Sequence, residues 1–432
     1  MVVLTLLDGV AFATLGPAVI RSYKFRMYPT SKQDALLRAM LDDHRSLYNA
    51  ALQERRDAWK RGKQIWFADQ DAQLTAIRAE DKDQARWSYS AQEQTLRRLD
   101  KAFKAFFRRV RDGRAPGYPR FKGIGYFDTV DHRNGDGAKW DSHPTQTKVY
   151  FQGVGHIKVR QHRPVVARRL TRIGIKREGR RWYVILAADQ ALPAALQMTG
   201  VMVGIDLATG PNGLAYTSVG ERIENPAYGR ASQSRLADAD RMLSRTQRGS
   251  NRRRKARQRL ADVHRKIRNQ RHDYLHKAAR RLVDRYDVIV AEDLNIAGMT
   301  RRAAPRPDGA RGYEHNGGSA KTGLNRSIHD AGWGLFLEMI RAKAESAGRE
   351  FIQVDPAYTS QSCSKCGHRE AANRNGKFFR CLSCGHVDDA DVNAAVNILK
   401  AGLALRDVAE TAPREAHFIG MTSLEAGRVP SG

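Results

Sequence analysis

The four cysteines of this 432-residue chain form two matched pairs. Each pair stands in the pattern C-x-x-C-G-H, and fourteen residues, 367 to 380, separate the pairs. This spacing is ordinary for a zinc ribbon, and each glycine permits the tight turn that points backbone N–H groups at the thiolates. A redox site would need only one such pair, near a βαβ unit. The pattern predicts one structural Zn²⁺, with the histidines outside the ligand set and the metal bound by Cys363, Cys366, Cys381 and Cys384.

Three acidic residues stand at the ends of apolar segments and could build a second metal site. Asp206 ends the strand pattern Val-Gly-Ile-Asp, and Glu292 ends the strand pattern Val-Ile-Val-Ala-Glu. Asp391 opens a segment with helical periodicity. Strand ends in open α/β sheets are common ligand sites, and carboxylates bind hard cations such as Mg²⁺. We predict that Asp206, Glu292 and Asp391 bind two Mg²⁺ ions and catalyse phosphodiester hydrolysis.

Each acid also has a purely structural interpretation. An acid after a buried strand is often just the first residue in solvent, and Asp391 could simply cap its helix. Asp293, Asp388 and Asp389 are neighbours that could serve as supporting ligands. The functional interpretation is favoured because all three acids occur together in a chain whose charge suits a polyanion.

The charge of the chain indicates a polyanionic partner. Lys and Arg outnumber Asp and Glu by 75 to 46, which gives a formal net charge of +29. Such an excess makes the compact state repel itself unless an anion is bound. The sequence shows no basic amphipathic helix of the membrane-surface type. We therefore predict a nucleic acid as the partner; a merely soluble basic surface is the alternative.

The basic residues are concentrated between residues 241 and 285. Acidic residues are few there, and like charges along a helix are destabilising unless phosphates lie nearby. The alternative is a helix face whose charges are only solvated. We predict nucleic-acid contacts by Arg245, Arg248, Arg252, Arg253, Arg254, Lys255 and Arg257.

The first twenty residues are apolar apart from Asp8, but they match neither a secretory signal nor a membrane helix. They lack a basic start, and Gly9, Gly16 and Pro17 interrupt the apolar run. We predict a loose extension, no membrane association and a cytoplasmic location. In that compartment cysteines are thiols or metal ligands rather than disulfides.

Hydrophobic periodicity predicts a multidomain α+β protein. One strand pattern before the helical stretch and four short ones after it indicate a β-barrel-like unit with a helical insertion. After a linker, strands and helices alternate as in an α/β domain. The predicted boundaries are a loose extension at 1–19, the barrel at 20–29 and 112–195, the helical domain at 30–111, the α/β domain at 200–405 with a zinc ribbon at 355–388, and a loose tail at 406–432.

Within the second half, the patterns also place individual elements. Residues 193–200 look like a linker, and residues 301–322 are rich in Gly, Pro and Arg and predict a mobile loop. Helices are predicted at 234–286, with a break near Gly249, and at 324–347 and 391–401.

Several segments together resemble the TnpB (OrfB) family, the transposon-associated relatives of the type V CRISPR nucleases. The likeness runs from Tyr23-Lys-Phe-Arg-Met-Tyr-Pro29 to Asn397-Ile-Leu-Lys400. It is sharpest in Leu324-Asn-Arg-Ser-Ile-His-Asp-Ala-Gly-Trp-Gly334, followed by Val354-Asp-Pro-Ala-Tyr-Thr-Ser360, which leads into the cysteine pairs. The apolar extension and the long Gly- and Pro-rich loop depart from the family pattern.

Three further segments look like the catalytic blocks of this family: Gly-Ile-Asp206, Glu292-Asp-Leu-Asn295 and Asp391-Val-Asn-Ala-Ala395. By this resemblance the three acids would be the triad of an RNase H-like (RuvC) nuclease domain that carries the zinc ribbon as an insertion. The barrel would be a wedge domain, and the helical insertion would be a recognition domain.

The resemblance also implies partners and an activity. The protein would bind a guide RNA and cut both strands of a target double-stranded DNA, with base pairing by the guide reading the sequence. One chain of this length could hold the RNA–DNA duplex alone, so a monomer is predicted. The encoding gene would belong to a transposon.

Three alternatives remain open from the sequence. A compact type V CRISPR effector would share the motifs. A nuclease-inactive RNA-guided DNA-binding protein would share the fold, but such proteins lose triad acids that are all present here. A guide-free RuvC-like nuclease would need little beyond the nuclease core, so the large basic first half argues against it. Co-purified RNA and metal-dependent cutting would distinguish these possibilities.

Overall fold

The computed structural model describes residues 18–411, apart from 144, 192, 210–212 and 310–311. The segments predicted to be loose, 1–19 and 406–432, therefore lie outside the described residues except for 18–19 and 406–411. Both of these short stretches have regular secondary structure. Within the part described, no helix combines the length and the apolar character that crossing a bilayer requires.

The described residues form two compact units. The first unit contains the chain up to Pro193 together with Arg235–Arg265. The second unit contains Ala194–Ser234 and the chain from Lys266 onward. The protein is therefore a mixed α/β molecule of more than one domain, as predicted.

The first unit is built on a seven-stranded sheet in which every neighbouring pair of strands is antiparallel. Residues Tyr23, Phe25 and Met27 of its first strand are buried and alternate with more exposed residues, which is the period of a strand with one face in the core. The strands, in the spatial order β2-β6-β7-β1-β5-β4-β3, are β1 (Ala18–Tyr28), β2 (Thr129–Arg133), β3 (Ala138–Asp141), β4 (Lys148–Phe151), β5 (Gly155–Arg160), β6 (Arg169–Glu178) and β7 (Arg181–Ala191).

The two edges of this sheet, β2 and β3, are neighbours in sequence. Only residues 134–137 connect them, and the backbone N–H of Gly135 donates to the carbonyl of Ala138 across the turn (2.9 Å). Because one short turn joins the two edges, the sheet curls until its edges meet, which makes it nearly a barrel. The sequence pattern did not predict β2 or β3, since both are short and lie among polar and glycine residues.

Five helices lie between β1 and β2, in the part of the chain where the helical insertion was predicted. Thr30 caps the first of them: its side chain accepts from the N–H of Gln33, and the Gln33 side chain accepts from the N–H of Thr30. The apolar faces of the first and fifth helices share one core with the sheet. The helices are α1 (Ser31–Lys60), α2 (Phe67–Ala72), α3 (Leu74–Glu80), α4 (Lys82–Ala85) and α5 (Tyr89–Arg111).

Two histidines are buried in the first unit without the partners that a charged ring needs. His44 Nδ1 lies 2.8 Å from Thr95 Oγ1, but its Nε2 has no partner, and neither ring nitrogen of His132 forms a hydrogen bond within the described chain. Burial lowers the pKa of His44 to about 3 and that of His132 to about 4. Both rings are therefore neutral at pH 7 in the folded protein.

We expect acid to destabilise the first unit between about pH 6.5, the usual histidine pKa, and about pH 4. In this window the unfolded chain binds protons at both rings and the folded chain does not, so stability is present above the window and is lost as the pH falls through it. At about pH 5, each ring lowers the free energy of unfolding by about 2 kcal/mol relative to neutral pH. Chemical denaturation at the two pH values measures the difference.

The variant that isolates this effect is His132→Leu. It should lose about 2 kcal/mol less stability than the wild type between neutral pH and about pH 5. His156 is exposed, so His156→Leu is the matched control and should keep the wild-type pH dependence. A pH dependence that is unchanged in His132→Leu would contradict the prediction.

The second unit contains a five-stranded sheet in the order β10-β9-β8-β11-β12. Strands β8, β11 and β12 are parallel, and β9 and β10 extend the sheet as antiparallel neighbours. Every residue of β11 is buried, as is typical of a central parallel strand covered on both faces. The strands are β8 (Met202–Leu207), β9 (Ala215–Thr217), β10 (Arg222–Ile223), β11 (Val288–Glu292) and β12 (Glu350–Val354).

Alternate residues of β11 belong to two separate apolar clusters. Ile289 and Ala291 pack with helices on one face, and Val288 and Val290 pack with Ile398 on the other. The helices that follow α5 in the chain are α6 (Tyr228–Ala231), α7 (Gln233–Ser244), α8 (Asn251–Arg285), α9 (Ile296–Met299), α10 (Gly318–Ala331), α11 (Trp333–Ala347) and α12 (Ala390–Thr411). The break between α7 and α8 confirms the interruption predicted near Gly249.

The predicted linker 193–200 is largely bound to the second unit. The backbone N–H groups of Thr199 and Gly200 donate to the buried carboxylate of Asp287, which also pairs with the buried guanidinium of Arg349. Burial alone would raise the pKa of Asp287, but these hydrogen bonds and the Arg349 charge lower it. The segment is therefore an extended connection that is held in place.

Three helix boundaries differ from the sequence prediction. The predicted helix 324–347 is two helices, because Gly332 adopts a left-handed φ of 75° and ends α10. Helix α10 begins at Gly318, inside the predicted loop 301–322. Helix α12 continues past 401 into the predicted tail, since it still packs on the sheet there: a Cβ on Gly402 would lie 2.5 Å from the Val290 side chain.

Candidate active site and zinc ribbon

Asp206 and Glu292 lie side by side at the carboxyl edge of the parallel strands. Strands β8 and β11 are neighbours, and Ile205 stands opposite Ala291. The next residue of each strand is the acid, so the two acids reach the same level of the sheet. The fully buried strand residues before them fix this position.

Helix α12 brings Asp391 to the same edge. A Cβ on Gly204 would lie 2.1 Å from the carbonyl oxygen of Ala395, so the helix crosses β8 in backbone contact. Ala395 is about one helical turn beyond Asp391, and Gly204 precedes Asp206 by two residues. The first turn of α12 therefore lies beside the end of β8, and only glycine at 204 permits this approach.

Asp389, rather than Asp391, caps α12. Its Oδ1 accepts from the backbone N–H of Asp391 (2.8 Å) and from that of Val392 (3.3 Å). The interpretation of Asp391 as a helix cap is therefore wrong. The buried Asp391 carboxylate instead accepts from Arg374 Nη2 (2.9 Å) and pairs with the Lys377 ammonium.

The three carboxylates carry surplus negative charge. Burial raises the pKa of Asp206 to about 8, and the charges of Glu292 and Asp391 add to the rise against the opposing effect of Arg374 and Lys377. Burial also raises the pKa of Glu292, although a hydrogen bond from Thr359 opposes the shift. Carboxyl groups that resist ionisation in this way are typical of a site where a cation offsets the charge.

The donor set of this edge fits a hard divalent cation, because it offers carboxylate oxygens. Among the described residues, the ligand atoms that already converge as a metal-binding group are the four cysteine sulfurs, which all lie within 4.8 Å of one another.

The four cysteines converge as predicted. Cys363 Sγ lies 3.7 Å from Cys384 Sγ, and Cys366 Sγ lies 3.6 Å from Cys381 Sγ. These separations are far too long for a disulfide bond of about 2.05 Å. They are close to the roughly 3.8 Å between two sulfurs on one tetrahedral zinc with Zn–S bonds of about 2.3 Å. The cluster therefore fits a structural zinc ion.

The two cysteine loops fold in the same way. In each loop the first cysteine donates its N–H to the histidine carbonyl (2.9 Å) and accepts from the glycine N–H (3.0 Å). The glycines, Gly367 and Gly385, have φ of 78° and 71°, which other residues rarely adopt. The N–H groups of Cys384 and Ser383 lower the pKa of the Cys381 thiol to about 6, which favours the thiolate that binds metal.

The histidine rings face other groups than the cysteine sulfurs. His368 Nε2 lies 3.1 Å from Glu370 Oε2, and His386 Nε2 lies 3.4 Å from Ser364 Oγ. The cysteine group contains neither histidine. This arrangement agrees with a ligand set of four thiolates.

The ribbon and the carboxylate edge share helix α12. Asn393 of this helix accepts from the backbone N–H of Ser364 (2.9 Å) and donates to the carbonyl of Ser362 (2.8 Å). Arg374, in the first strand of the ribbon's small antiparallel sheet, and Lys377, in the turn after that strand, both contact Asp391. The strands of this sheet are β13 (Arg374–Asn375), β14 (Phe378–Arg380) and β15 (Val387–Asp389).

Comparison with known protein families gives three matches along the chain. A family model described as a probable transposase matches residues 186–303. A model described as a Cas12f1-like TNB domain matches residues 333–398, which include the cysteine loops and Asp391. A third, described as a helix-turn-helix domain, matches residues 19–64.

Two relatives that align with most of this chain identify its family. The chain is 31% identical over 392 residues to "Putative RNA-guided DNA endonuclease InsQ" of Escherichia coli (strain K12), across 89% of this chain and 93% of that protein. It is 32% identical over 394 residues to "Putative RNA-guided DNA endonuclease" of Streptomyces pristinaespiralis, across 89% of this chain and 90% of that protein. The chain belongs to the TnpB (OrfB) family.

A solved structure shows that this TnpB family member shares its fold with a CRISPR nuclease. Cas12f1, solved with its sgRNA and target DNA, matches with a TM-score of 0.57 at 13% identity. The match covers 88% of this chain and 98% of that chain. The likeness extends along both halves of the chain.

The helix-turn-helix description does not suit the structure of this TnpB family member. Residues 19–64 form most of β1 and the whole of α1, which is one helix of 30 residues. The segment therefore contains a strand and a single helix rather than two helices joined by a turn.

Of the basic residues predicted to bind nucleic acid, one has a structural role. Arg253 Nη1 donates to the carbonyls of Leu243 (3.1 Å) and Thr246 (2.9 Å) at the end of α7. The side chains of the others are exposed and form no ion pair or hydrogen bond with another described residue: Arg245 and Arg248 in the connection between α7 and α8, and Arg252, Arg254, Lys255 and Arg257 in α8.

Three residues that contact the carboxylates were not predicted from the sequence. Arg374 and Lys377 contact Asp391, and Thr359 Oγ1 donates to Glu292 Oε1 (2.6 Å). Thr359 lies in a segment that carried the family resemblance, which was the available signal. The two cations had none, because basic residues are common throughout the chain.

Proposed function

We propose that this TnpB family member is an RNA-guided endonuclease for double-stranded DNA, encoded with a transposon, in which Asp206, Glu292 and Asp391 form the nuclease site. The observation that carries the proposal is the meeting of these acids at one sheet edge beside α12. The relatives named as RNA-guided DNA endonucleases support the choice of activity.

The second unit then serves as an RNase H-like (RuvC) nuclease domain, with the zinc ribbon inserted between β12 and α12. The near-barrel sheet serves as the wedge domain, and helices α1–α5 serve as the recognition domain. The order of strands in the five-stranded sheet and the position of the acids at its carboxyl edge support this assignment.

Asp206, Glu292 and Asp391 would hold two Mg²⁺ ions. Bound there, the ions would polarise the phosphodiester and make water a better nucleophile. Glu292 is held in orientation by Thr359, and Asp391 by its place in the first turn of α12. Arg374 and Lys377 neutralise Asp391 in this structure, and both become available to a phosphate once that carboxylate binds a cation.

Guide RNA and target DNA are the proposed partners, and one protein chain is proposed to bind them. The exposed cations Arg245, Arg248, Arg252, Arg254, Lys255 and Arg257 are proposed to contact phosphates. Their lack of partners among the described residues supports this role, since a purely structural set would be paired.

The experiment that tests the function begins with the RNA. The protein is purified from its native host, washed at high salt, and any retained RNA is sequenced. We expect one discrete RNA, and we expect the complex to cut a plasmid carrying the matching sequence when Mg²⁺ is added. A plasmid with a scrambled target is the control. Cutting by protein that retains no RNA would establish a guide-free nuclease instead.

Thr359 provides a test of how Glu292 is positioned. Thr359→Val keeps the side-chain shape but removes the only donor to a buried carboxylate oxygen that the described residues provide. We expect the cleavage rate to fall by about tenfold, the cost of one lost hydrogen bond to a charged group. Thr359→Ser should keep most of the rate because it retains the hydroxyl. Equal rates in both variants would show that the hydroxyl has no part in the reaction.

A further inference from the structure

The helical insertion of the first unit carries a pocket that the nuclease chemistry does not use. The pocket has a volume of about 400 Å³ and lies between α1 and the segment that follows α5. The buried side chain of Leu52 and the buried Pro119 form part of its wall. Its lining residues are Leu52, Arg56, Tyr118, Pro119, Arg120 and Phe121.

The segment that lines the pocket is fixed in place. The side-chain amide of Asn49 in α1 forms two hydrogen bonds with the backbone of Lys122. Its Nδ2 donates to the Lys122 carbonyl (3.0 Å), and its Oδ1 accepts from the Lys122 N–H (2.8 Å). At the other end, Arg109 Nη1 donates to the carbonyl of Pro116 (2.9 Å). The pocket is therefore formed before any ligand binds, which lowers the entropic cost of binding.

Two aromatic rings of the pocket remain accessible. Tyr118 is 45% exposed and Phe121 is 46% exposed, which is unusual for two large rings in one short segment. Phe103 and Phe106 of α5 hold the Tyr118 ring by edge-to-face contacts, with centroids 5.6 and 5.3 Å away. The Tyr118 ring is thus oriented by its neighbours while part of it stays open to a flat ligand.

Two guanidinium groups complete the pocket. Arg56 and Arg120 are both exposed, and the guanidinium group of neither forms an ion pair or a hydrogen bond with another described residue. Guanidinium groups bind phosphates with two parallel hydrogen bonds and also stack on bases. The pocket therefore joins flat apolar surface to unpaired positive charge.

From these features we infer that the pocket binds one unpaired nucleotide of the guide RNA, with its base against Tyr118 and Phe121 and its phosphate on Arg56 or Arg120. This inference rests on the proposed function for the identity of the RNA. A base inside a duplex must first be unstacked and flipped out before it can enter a pocket, which costs free energy. A folded RNA offers unpaired loop and bulge bases, which aromatic side chains recognise by stacking. The target DNA arrives as a duplex, so the RNA is the better source.

The test uses the full-length protein freed of RNA and a short oligouridine that contains one 4-thiouridine. After irradiation, the crosslinked peptides are mapped by mass spectrometry. We expect a crosslink within residues 118–121. Tyr118→Ala should lower its yield about tenfold, since stacking on one aromatic ring contributes a factor of this order. Tyr118→Phe keeps the ring and should retain the crosslink.

Tyr126 is the matched control, because it is 76% exposed and does not line the pocket. Tyr126→Ala should leave the yield unchanged. Arg120→Gln should weaken binding of the oligouridine. It should also lower by about one the number of counterions released on binding, which is measured from the dependence of affinity on salt concentration. This variant tests the pocket independently if Tyr118→Ala fails to fold.

Two outcomes would overturn the inference. One is a crosslink that lies elsewhere or persists in Tyr118→Ala at the wild-type yield. The other is a photoreactive oligodeoxythymidine that labels the pocket while the oligouridine does not, which would assign the pocket to DNA. Neither outcome involves the three carboxylates. Co-purified RNA and Mg²⁺-dependent plasmid cleavage would therefore still test the proposed function independently of the pocket.

Discussion

Asp206→Asn should abolish DNA cleavage, by at least about a thousandfold, while nucleic-acid binding stays at the wild-type level. The substitution keeps the size of the side chain and removes one of the three charges that would hold the cations. The basic residues of α8 and the whole first unit are left intact. Plasmid cleavage and a filter-binding assay with the guide-loaded protein measure the two effects.

The same variant should be at least as stable as the wild type in the absence of metal. Burial raises the pKa of Asp206 to about 8, and the charges of Glu292 and Asp391 add to the rise. At neutral pH the unfolded chain is ionised at this position, and the metal-free chain must take up a proton when it folds, which costs stability. Asn removes this cost, so the melting temperature should stay the same or rise. A structural carboxylate would behave in the opposite way, because its loss would lower the melting temperature.

Asp293 is the matched control for this experiment. It follows Glu292 directly but is exposed, and its carboxylate contacts only Gln353 within the described chain. Asp293→Asn should cut DNA at nearly the wild-type rate. If Asp293→Asn abolishes cleavage and Asp206→Asn does not, the acids of the site have been assigned wrongly.

Removal of zinc should eliminate cleavage as completely as loss of a carboxylate. The metal-binding free energy of small zinc domains is about 10–16 kcal/mol, which is far more than this small ribbon can gain from its own apolar cluster. Without zinc the ribbon should unfold, and Asp391 would then lose Arg374 and Lys377. We expect one zinc per chain, a lower melting temperature after chelation, and no cleavage.

Adding back Mg²⁺ and Zn²⁺ separately distinguishes loss of the structural zinc from loss of the ions at the nuclease site. After chelation, Mg²⁺ alone should not restore cutting, whereas Zn²⁺ followed by Mg²⁺ should. Cys381→Ser should reproduce the chelated state, and Ser383→Ala, within the same loop, should resemble the wild type. Full activity in a zinc-free protein would mean that the ribbon is dispensable for the reaction.

The sequence predicted those parts of the site that local pattern determines. The cysteine spacing predicts the ribbon because both loops are short and close on themselves. Asp206 and Glu292 were found because apolar runs predict buried parallel strands, and the acid marks where each strand ends. Asp391 was predicted only because it occurs with the other two acids in a chain whose charge suits a polyanion, since a residue that opens a helix could equally have been its cap.

The features that the sequence did not predict depend on contacts between distant segments. Thr359 reaches Glu292 from a loop after another strand, and Arg374 reaches Asp391 only because the ribbon folds back on α12. Strands β2 and β3 are too polar to be recognised from their own sequence. They form because they pair with the outer strands of the sheet and become its two edges. The break at Gly332 needs a left-handed backbone, which a helical pattern does not reveal.

The position of α12 bears on how the protein is made. A ribosome has already synthesised β8 and β11, with Asp206 and Glu292, when it reaches residues 390–411, and no described strand or helix emerges later. Until then, the sheet face around Gly204 has no cover and the cysteine loops lack Asn393. A nascent chain therefore carries two of the three acids without a complete centre. Under the proposed function, a message cut short before codon 391 would yield a protein that retains the first unit but lacks the third acid of the nuclease site.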